Sequence, residues 1–330
     1  MLFAVHRSTE RAPRERGEAF GRAQREPVAA TVALYRRMFE DTHGIDAREA
    51  GAQVQLDEPE REEIAGIAHG AGVDEYELRA ANARTEILAG KGPTECTVIG
   101  AGGLLAQNWD WHPDARRSTV LWTVIHEHGW FTTLTEAGML GKIGLNDRGL
   151  GVGLNLLRTT ADGGLGGTPV HLLLRRTLQH AGSVEEALDV LTVARTTASS
   201  AVTVATPGDV ATVELSPGGA NVIRGAVGAH TNHFLVAPRR GRDTMPEESP
   251  STLPRLETVR NQPLLDALRS HDGHPKGVCR HLDPLEPWAE QTETIASVVM
   301  DLARLRLHVA PGHPCSTAHE QVELPVHAHA

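Results

Sequence analysis

The chain has 330 residues, 40% hydrophobic and 22% charged, which is enough apolar material to fill one large domain or two smaller ones without staples. Its 42 acidic and 32 basic residues leave a formal net charge of −10, which excludes a typical nucleic-acid binder because phosphate contact needs a basic face. Aromatic residues make up only 4%, so Leu, Val, Ile and Ala must fill the interior.

The opening apolar run, Met1 to Val5, is short and is followed at once by charge, so no secretory signal is expected. No window approaches the ~18 uncharged apolar residues of a membrane span. The three cysteines, Cys96, Cys279 and Cys315, form no close pair in sequence. That pattern predicts a reducing, cytoplasmic setting rather than a disulfide framework. Residues 14–39 carry helix formers with apolar Phe20, Val28, Val32, Leu34 and Met38 recurring on one side, and Pro27 is expected to split them. A second helix should open near Asp57 with Pro59 in its first turn and stop around Gly70 to Gly72. A third covers Asp74 to Leu88 and closes at Gly90.

The pattern changes at Gly92-Pro93. From Cys96 to about Leu157 it reads as strands and turns, with Val120–Ile125, Phe131–Thr135 and Leu150–Leu156 the clearest strands. Two helices follow. Thr168-Pro169 caps the first, and Ser183 to Glu186 forms a capping box for the second. Strands resume at Ala201–Ala205, Ala211–Leu215, Asn221–Arg224 and His230–Val236. A proline-rich loop, 238–254, leads to a helix over Leu256–Ser270 and then to strands at Thr294–Asp301 and Leu305–Ala310. Strands in clusters suit antiparallel pairing, so the order predicts sheets stacked between helical layers rather than a βαβ parallel sheet.

Cys96 stands where the helical block ends and the first strand begins. A buried structural cysteine is the plain alternative. If the chain is cut before Cys96, however, a new α-amino group lies beside the thiol. An α-amine titrates near ~7.7–8.0 and a lysine near ~10.4, so at pH ~7 roughly a tenth to a sixth of such amines are free bases, against about one lysine in a few thousand. A terminal cysteine therefore carries its own general base, whereas an internal one needs a neighbouring His.

Asn82-Ala-Arg-Thr-Glu86, Glu95-Cys-Thr97 and Gln107-Asn-Trp-Asp110 resemble blocks of the isopenicillin-N acyltransferase family. So, in the same order, do Thr135-Glu-Ala-Gly138, Gly141-Lys-Ile-Gly144, Thr168-Pro-Val-His171, Glu214-Leu-Ser-Pro217 and His230-Thr-Asn-His233. The likeness runs from about Gly17 to Asp301. It implies an α+β fold, the four-layer αββα sandwich of the N-terminal-nucleophile hydrolases with a helical N-terminal segment. It also implies self-cleavage between Glu95 and Cys96. The products would be an α chain, 1–95, and a β chain, 96–330, which stay associated as one αββα domain, with a role in secondary metabolism.

Carried over by resemblance, Cys96 is both the agent of cleavage and the acylated nucleophile, and its amino group is the base. Asp110 holds that amine, Asn232 donates to the oxyanion, and Ser216 is linked to activity. Ser216 also precedes Pro217-Gly218, where a turn role is equally natural. Three departures matter. Glu95 stands where the penicillin enzyme has glycine, Val98 where it has threonine, and Glu290 and Gln291 where it has a serine–arginine pair. They direct the expectation away from penicillin side-chain exchange and towards hydrolysis of a small N-acyl or aminoacyl amide, as in family relatives that hydrolyse β-alanyl amides of biogenic amines.

Other constellations carry less. His126 and His128 fit the end of a hairpin, and Gly100 to Gly103 a hairpin turn. Cys315 has His313 and His319 near it but no finger-like spacing, so no metal and no cofactor is expected. A papain-like set of Cys96, His233 and Asn232 would need the thiol on a helix N-terminus, and strand follows Cys96 instead. Alternatives to the leading reading are an acyl-CoA-dependent N-acyltransferase, an unprocessed relative that only binds ligand, and an internal cysteine amidase. The expected partners are a small acyl amide or acyl donor and the chain's own two pieces, with a homodimer left open, and neither nucleic acid nor membrane.

Overall fold

The structure, a computed structural model, describes residues 3–89, 91 and 95–325. Gly90 and Gly92-Pro93, where the helical block is predicted to end, lie outside the described residues, as does the His-Ala-His-Ala tail. The chain begins with β1 (Ala4–Ser8), α1 (Pro13–Ala23), α2 (Arg25–Arg36), α3 (Ala47–Gln53), α4 (Glu58–Ala71), α5 (Glu75–Asn82) and α6 (Arg84–Leu88). Then come β2 (Glu95–Ala101), β3 (Leu104–Trp111), β4 (Thr119–His126), β5 (Gly129–Glu136), β6 (Ile143–Asn146), β7 (Gly151–Leu156), α7 (Val170–His180) and α8 (Val184–Thr192). The remainder is β8 (Ser200–Ala205), β9 (Val210–Ser216), β10 (Gly219–Arg224), β11 (Val227–His230), α9 (Met245–Glu248), α10 (Thr252–Asn261), α11 (Leu264–Arg269), β12 (Glu293–Asp301), β13 (Arg306–Pro311) and β14 (Glu320–Val322). Among the described residues no helix is long and apolar enough to cross a membrane.

Two sheets result. The first, in the order β1-β4-β5-β6-β7-β8-β9-β10, is antiparallel apart from β1, which runs parallel to β4. The second, β11-β2-β3-β12-β13-β14, is antiparallel throughout. Alternation along each strand sends neighbouring side chains to opposite faces. Thus Val120, Trp122 and Val124 of β4 join Phe20, Ile64, Ile67, Leu173 and Leu178 of the helices, while Leu121 between them faces the second sheet with Val98, Leu105 and Trp109. On the far side, Ile99, Ala106 and Val299 pack against Leu256 and Val259 of α10 and Leu268 of α11. The four layers are therefore helix, sheet, sheet, helix: the αββα sandwich expected from the sequence.

The outer helical layer is drawn tight by glycine. A Cβ on Gly17 or Gly21 of α1 would lie 2.2 Å from a carbonyl oxygen of α4, and one on Gly66 or Gly70 of α4 would lie 2.3 Å from a carbonyl of α1. The two backbones approach at a distance that only glycine permits. α4 starts at the Asp57–Glu60 capping box and ends on Gly72, whose φ of 73° suits glycine.

Four local expectations are revised. The first helix breaks at Gln24, and Pro27 falls instead in the first turn of α2, where its missing N–H costs nothing. The helix expected over 256–270 begins earlier, at Thr252, and is cut in two at Pro263. β1 had no counterpart in the predicted elements, because a five-residue strand paired across more than a hundred residues leaves no local signal. The strand expected over His230–Val236 stops at His230, and what replaces it builds the site described next.

Candidate active site

Cys96 is the second residue of β2, and pairing with β11 begins only at Val98, opposite His230. The Cys96 N–H and C=O therefore face a position where the sheet has run out of strand. Side chains fill it. The N–H donates to Asn232 Oδ1 at 2.9 Å, and the carbonyl accepts from Asn155 Nδ2 at 2.9 Å and Arg255 Nη1 at 3.0 Å. Buried backbone groups must be satisfied somewhere, and here the partners are three polar side chains from three different segments.

Each partner has a local reason to be there. β7 presents Gly151, Gly153 and Asn155 on one face, and a Cβ on Gly153 would sit 3.0 Å from Val98, so the small residues let β2 come close enough for Asn155 to reach it. Gln107 of β3 closes the same seam, donating to Leu154 O at 2.7 Å and accepting from Leu154 N at 2.9 Å. After β11 the chain turns so that Asn232 N donates to Thr252 Oγ1 at 2.8 Å and Thr231 Oγ1 to Thr252 O at 2.9 Å. Thr252 opens α10, and one turn later Arg255 reaches back to Thr97 Oγ1 and Asn232 Oδ1, each at 2.9 Å.

The Cys96 thiol, its residue only 9% exposed, borders a small cavity of about 20 Å³ that Arg84, Thr85, Gln107, Trp109, Trp111, Lys142 and Ser200 also line. Its Sγ lies 3.7 Å from the backbone oxygen of Asp110. A cavity of that volume admits about one water. Burial, and then the charge of Asp110, push the thiol up to about 12, although Lys142 and Arg255 pull the other way. At pH ~7 only about one such thiol in a hundred thousand is ionised, so this sulfur needs a base. Lys142 is buried against the Trp109 ring, 3.8 Å from its centroid, and pairs with Glu136. Burial, with Arg84 beside it, draws its ammonium down to about 7 against the pull of Glu136. Burial would raise Glu136, but Lys142 and Arg84 hold it below the usual carboxylate range, and Tyr35 donates to it. The Arg84 guanidinium lies 3.7 Å over the Trp111 ring.

A family model described as "Acyl-coenzyme A:6-aminopenicillanic acid acyl-transferase" matches residues 98–315. The chain belongs to that family. The match begins two residues after Cys96. The "Acyl-coenzyme A:6-aminopenicillanic-acid-acyltransferase 40 kDa form" of Emericella nidulans is 31% identical over 191 residues, covering 53% of this chain and 52% of that protein. The chain thus spans about half the length of this curated relative. Among solved structures, the penicillin V acylase from Agrobacterium tumefaciens is similar at TM-score 0.48 and 16% identity, covering 69% of this chain and 86% of its own. The conjugated bile acid hydrolase from Clostridium perfringens, as a point mutant, is similar at TM-score 0.41 and 12% identity, covering 70% of this chain and 97% of its own.

Of the residues singled out by likeness to this family, Cys96, Asp110 and Asn232 come together and Ser216 does not. The Ser216 hydroxyl donates to Gly219 O at 3.1 Å within the β9–β10 hairpin, away from the cavity lining. Asn232 presents its carbonyl oxygen, not its NH2 group, to Cys96, and Nδ2 donates to Leu156 O at 2.9 Å. Asp110 lies opposite Glu95 across the β2–β3 ladder and accepts from Thr294 Oγ1 at 2.7 Å. Alternation places its carboxylate on the outer face of the strand, while the thiol faces the inner one. His233 is held by Thr252 Oγ1 at 2.9 Å and does not line the cavity, which leaves a papain-like set without its base. Asn155, Lys142, Glu136, Arg84 and Arg255 were not singled out. Lys142, Glu136 and Arg84 do lie inside motif blocks quoted above.

Glu86 supports a prediction of its own. It is buried, Oε1 accepts from Val170 N at 2.9 Å, and Oε2 has no partner among the described residues. Burial pushes its carboxyl up to about 7 in spite of that N–H. The folded state therefore holds this proton more tightly than the unfolded one. The stabilisation is complete below about pH 4.5 and lost as pH rises through about 7, at most about 3 kcal/mol. Glu86→Gln mimics the protonated form. Its urea midpoint should fall less than wild type's between about pH 5 and 8, and equal slopes would refute the assignment.

Proposed function

We propose that the protein is a self-processing cysteine amidohydrolase or acyltransferase of the N-terminal-nucleophile kind. It takes the acyl group of a small N-acyl or aminoacyl amide onto Cys96 and passes it to water or an amine. The observation that carries this is the capping of Cys96: an Asn232 oxygen 2.9 Å from its nitrogen and two donors on its carbonyl, on the edge of β2 that β11 no longer covers. A nitrogen held in this way keeps its place if the Glu95–Cys96 bond is cut. It then becomes an amine fixed beside the thiol, the base that a thiol pushed to about 12 lacks.

In this reading Asp110, opposite Glu95, holds the new amine, and the second N–H of Asn232 Nδ2 is the donor for the oxyanion. Arg84 and Lys142 line the cavity where the oxygens of the acyl group would lie, opposite the acidic Asp110 and Glu136 that belong to the same site. The pieces 1–95 and 96–330 would remain one domain, because β1 pairs with β4 in the first sheet and α1, α2, α4 and α5 pack on its outer face. A second small cavity lies beside the first and shares Thr85, Trp111 and Leu156 with it, so the two together bound the space for substrate. The small volume of the cavity, about 20 Å³, favours a compact amide over a bulky acyl donor.

The test is intact mass spectrometry after incubation with a panel of small acyl amides. The expected result is two chains, split before Cys96, with a transient acyl adduct on the larger. An uncleaved chain that never acquires an adduct would favour the ligand-binding alternative and refute this one.

A further inference from the structure

On the outer face of the second sheet, four side chains from two separate segments converge. His271, Cys279 and His281 lie in the loop after α11, and Cys315 lies beyond β13. One ligand atom from each falls within 4.8 Å of all the others. His271 Nε2 is 3.1 Å from His281 Nε2, Cys279 Sγ is 3.7 Å from it, and Cys315 Sγ is 3.6 Å from it. We propose that these four residues form a tetrahedral zinc site, independent of the Cys96 chemistry, that clamps the 270–281 loop to the 312–317 segment.

The distances carry most of the weight. With Zn–N of about 2.0–2.1 Å and Zn–S of about 2.3 Å, a tetrahedron has N···N edges of about 3.3 Å and S···N edges of about 3.6 Å. The observed separations lie close to these. Hydrogen bonding does not account for them as well, because His281 Nε2 has three close neighbours and a ring nitrogen can donate or accept only once. A cation at the centre satisfies all four groups together. Two thiolates and two neutral imidazoles are a soft, borderline donor set that selects zinc over calcium or magnesium. Each thiol releases its proton to solvent as its S–Zn bond forms, so the two sulfur charges cancel that of the ion.

Four protein ligands leave no open position, which marks a structural site. The burial gradient agrees: Cys279 is buried, His281 intermediate, and His271 and Cys315 exposed, as at a staple fastened from the surface. His313 stacks on His281 at 4.1 Å between centroids, while its own Nε2 is 3.3 Å from Glu293. The clamp also reaches inwards. Between Cys279 and His281, Arg280 N donates to Thr294 Oγ1 at 2.9 Å, and that hydroxyl donates to Asp110 at 2.7 Å. The expectation of no metal rested on spacing near Cys315. That spacing is uninformative here because the other ligands come from a loop more than thirty residues upstream, and only folding brings the segments together.

The experiment uses the full chain purified with and without added zinc, analysed by elemental mass spectrometry after gel filtration. About one zinc per chain is expected, and Cys315→Ser and His271→Ala should each retain about tenfold less. Both positions are exposed, so far-ultraviolet circular dichroism is expected to report an intact fold, and Cys315→His, which restores an imidazole ligand, should recover zinc. Cobalt added to the zinc-free chain should give a thiolate-to-metal charge-transfer band that Cys315→Ser loses. A folded chain without stoichiometric zinc, a Cys279–Cys315 disulfide in the purified protein, or iron or copper in place of zinc would overturn the proposal.

Discussion

Replacing Cys96 with alanine should leave a single chain of 330 residues and lower amide turnover by at least about 10⁴-fold. In the proposed processing of wild type, the Glu95 acyl group would shift from the Cys96 nitrogen to Sγ, with the thiol proton passing to the departing nitrogen. Water would then open the thioester, giving the Glu95 carboxylate, the thiol and a free α-amine. Alanine has no atom to accept the acyl group, so both this step and acylation by substrate are lost. Serine can accept it but is the poorer nucleophile, so Cys96→Ser should cleave slowly, if at all, and turn over weakly. The residue is small and its carbonyl and N–H bonds are made by backbone, so both variants should fold. Wild-type turnover in Cys96→Ala would end the proposal. An uncleaved wild-type chain that is active and depends on Cys96 would point instead to an internal cysteine amidase.

The sequence disclosed the ends of this site better than its middle. Cys96 is visible because helix formers give way to strand formers within a few residues, whereas Asp110 is named only through the likeness of Gln107-Asn-Trp-Asp110 to the family. Asn232 could be named but not oriented. The run from His230 to Val236 alternates like a strand, and only its bonds to Thr252 show that the chain leaves the sheet after His230. Arg255 was illegible for a related reason. It falls between the expected loop, 238–254, and the expected helix, 256–270, where nothing marks it out, whereas its guanidinium here reaches Cys96 and Thr97. Lys142 and Glu136 sit in quoted motifs, yet their pairing depends on a tight turn between β5 and β6 that no periodicity reveals. The four layers were legible because clustered strands and amphipathic helices must bury one face each. The cluster of His271, Cys279, His281 and Cys315 was not, because its segments share no element.

Arg255 is the residue whose loss should matter most after Cys96 itself. It is fully buried and gives two donors to the Cys96–Thr97 pair and one to Asn232 Oδ1. The donor to Asn232 fixes which way that amide faces: with a guanidinium against it, the oxygen must point inwards, where it also accepts from Cys96 N. Its charge is among those that pull the thiol down. The two effects separate experimentally. Arg255→Lys keeps the charge, but one ammonium cannot span three acceptors in a fixed fork. It should slow processing and kcat by about 10²-fold, with KM little changed and the pH profile in place. Arg255→Leu loses the charge as well, so its activity should fall further, and the rising limb of its pH profile should move to higher pH as the thiol becomes harder to ionise. Thermal unfolding of both variants identifies any that fail to fold. If folded Arg255→Leu processes at the wild-type rate with an unshifted profile, the side chain neither orients Asn232 nor bears on the thiol, and the capping of Cys96 is structural alone.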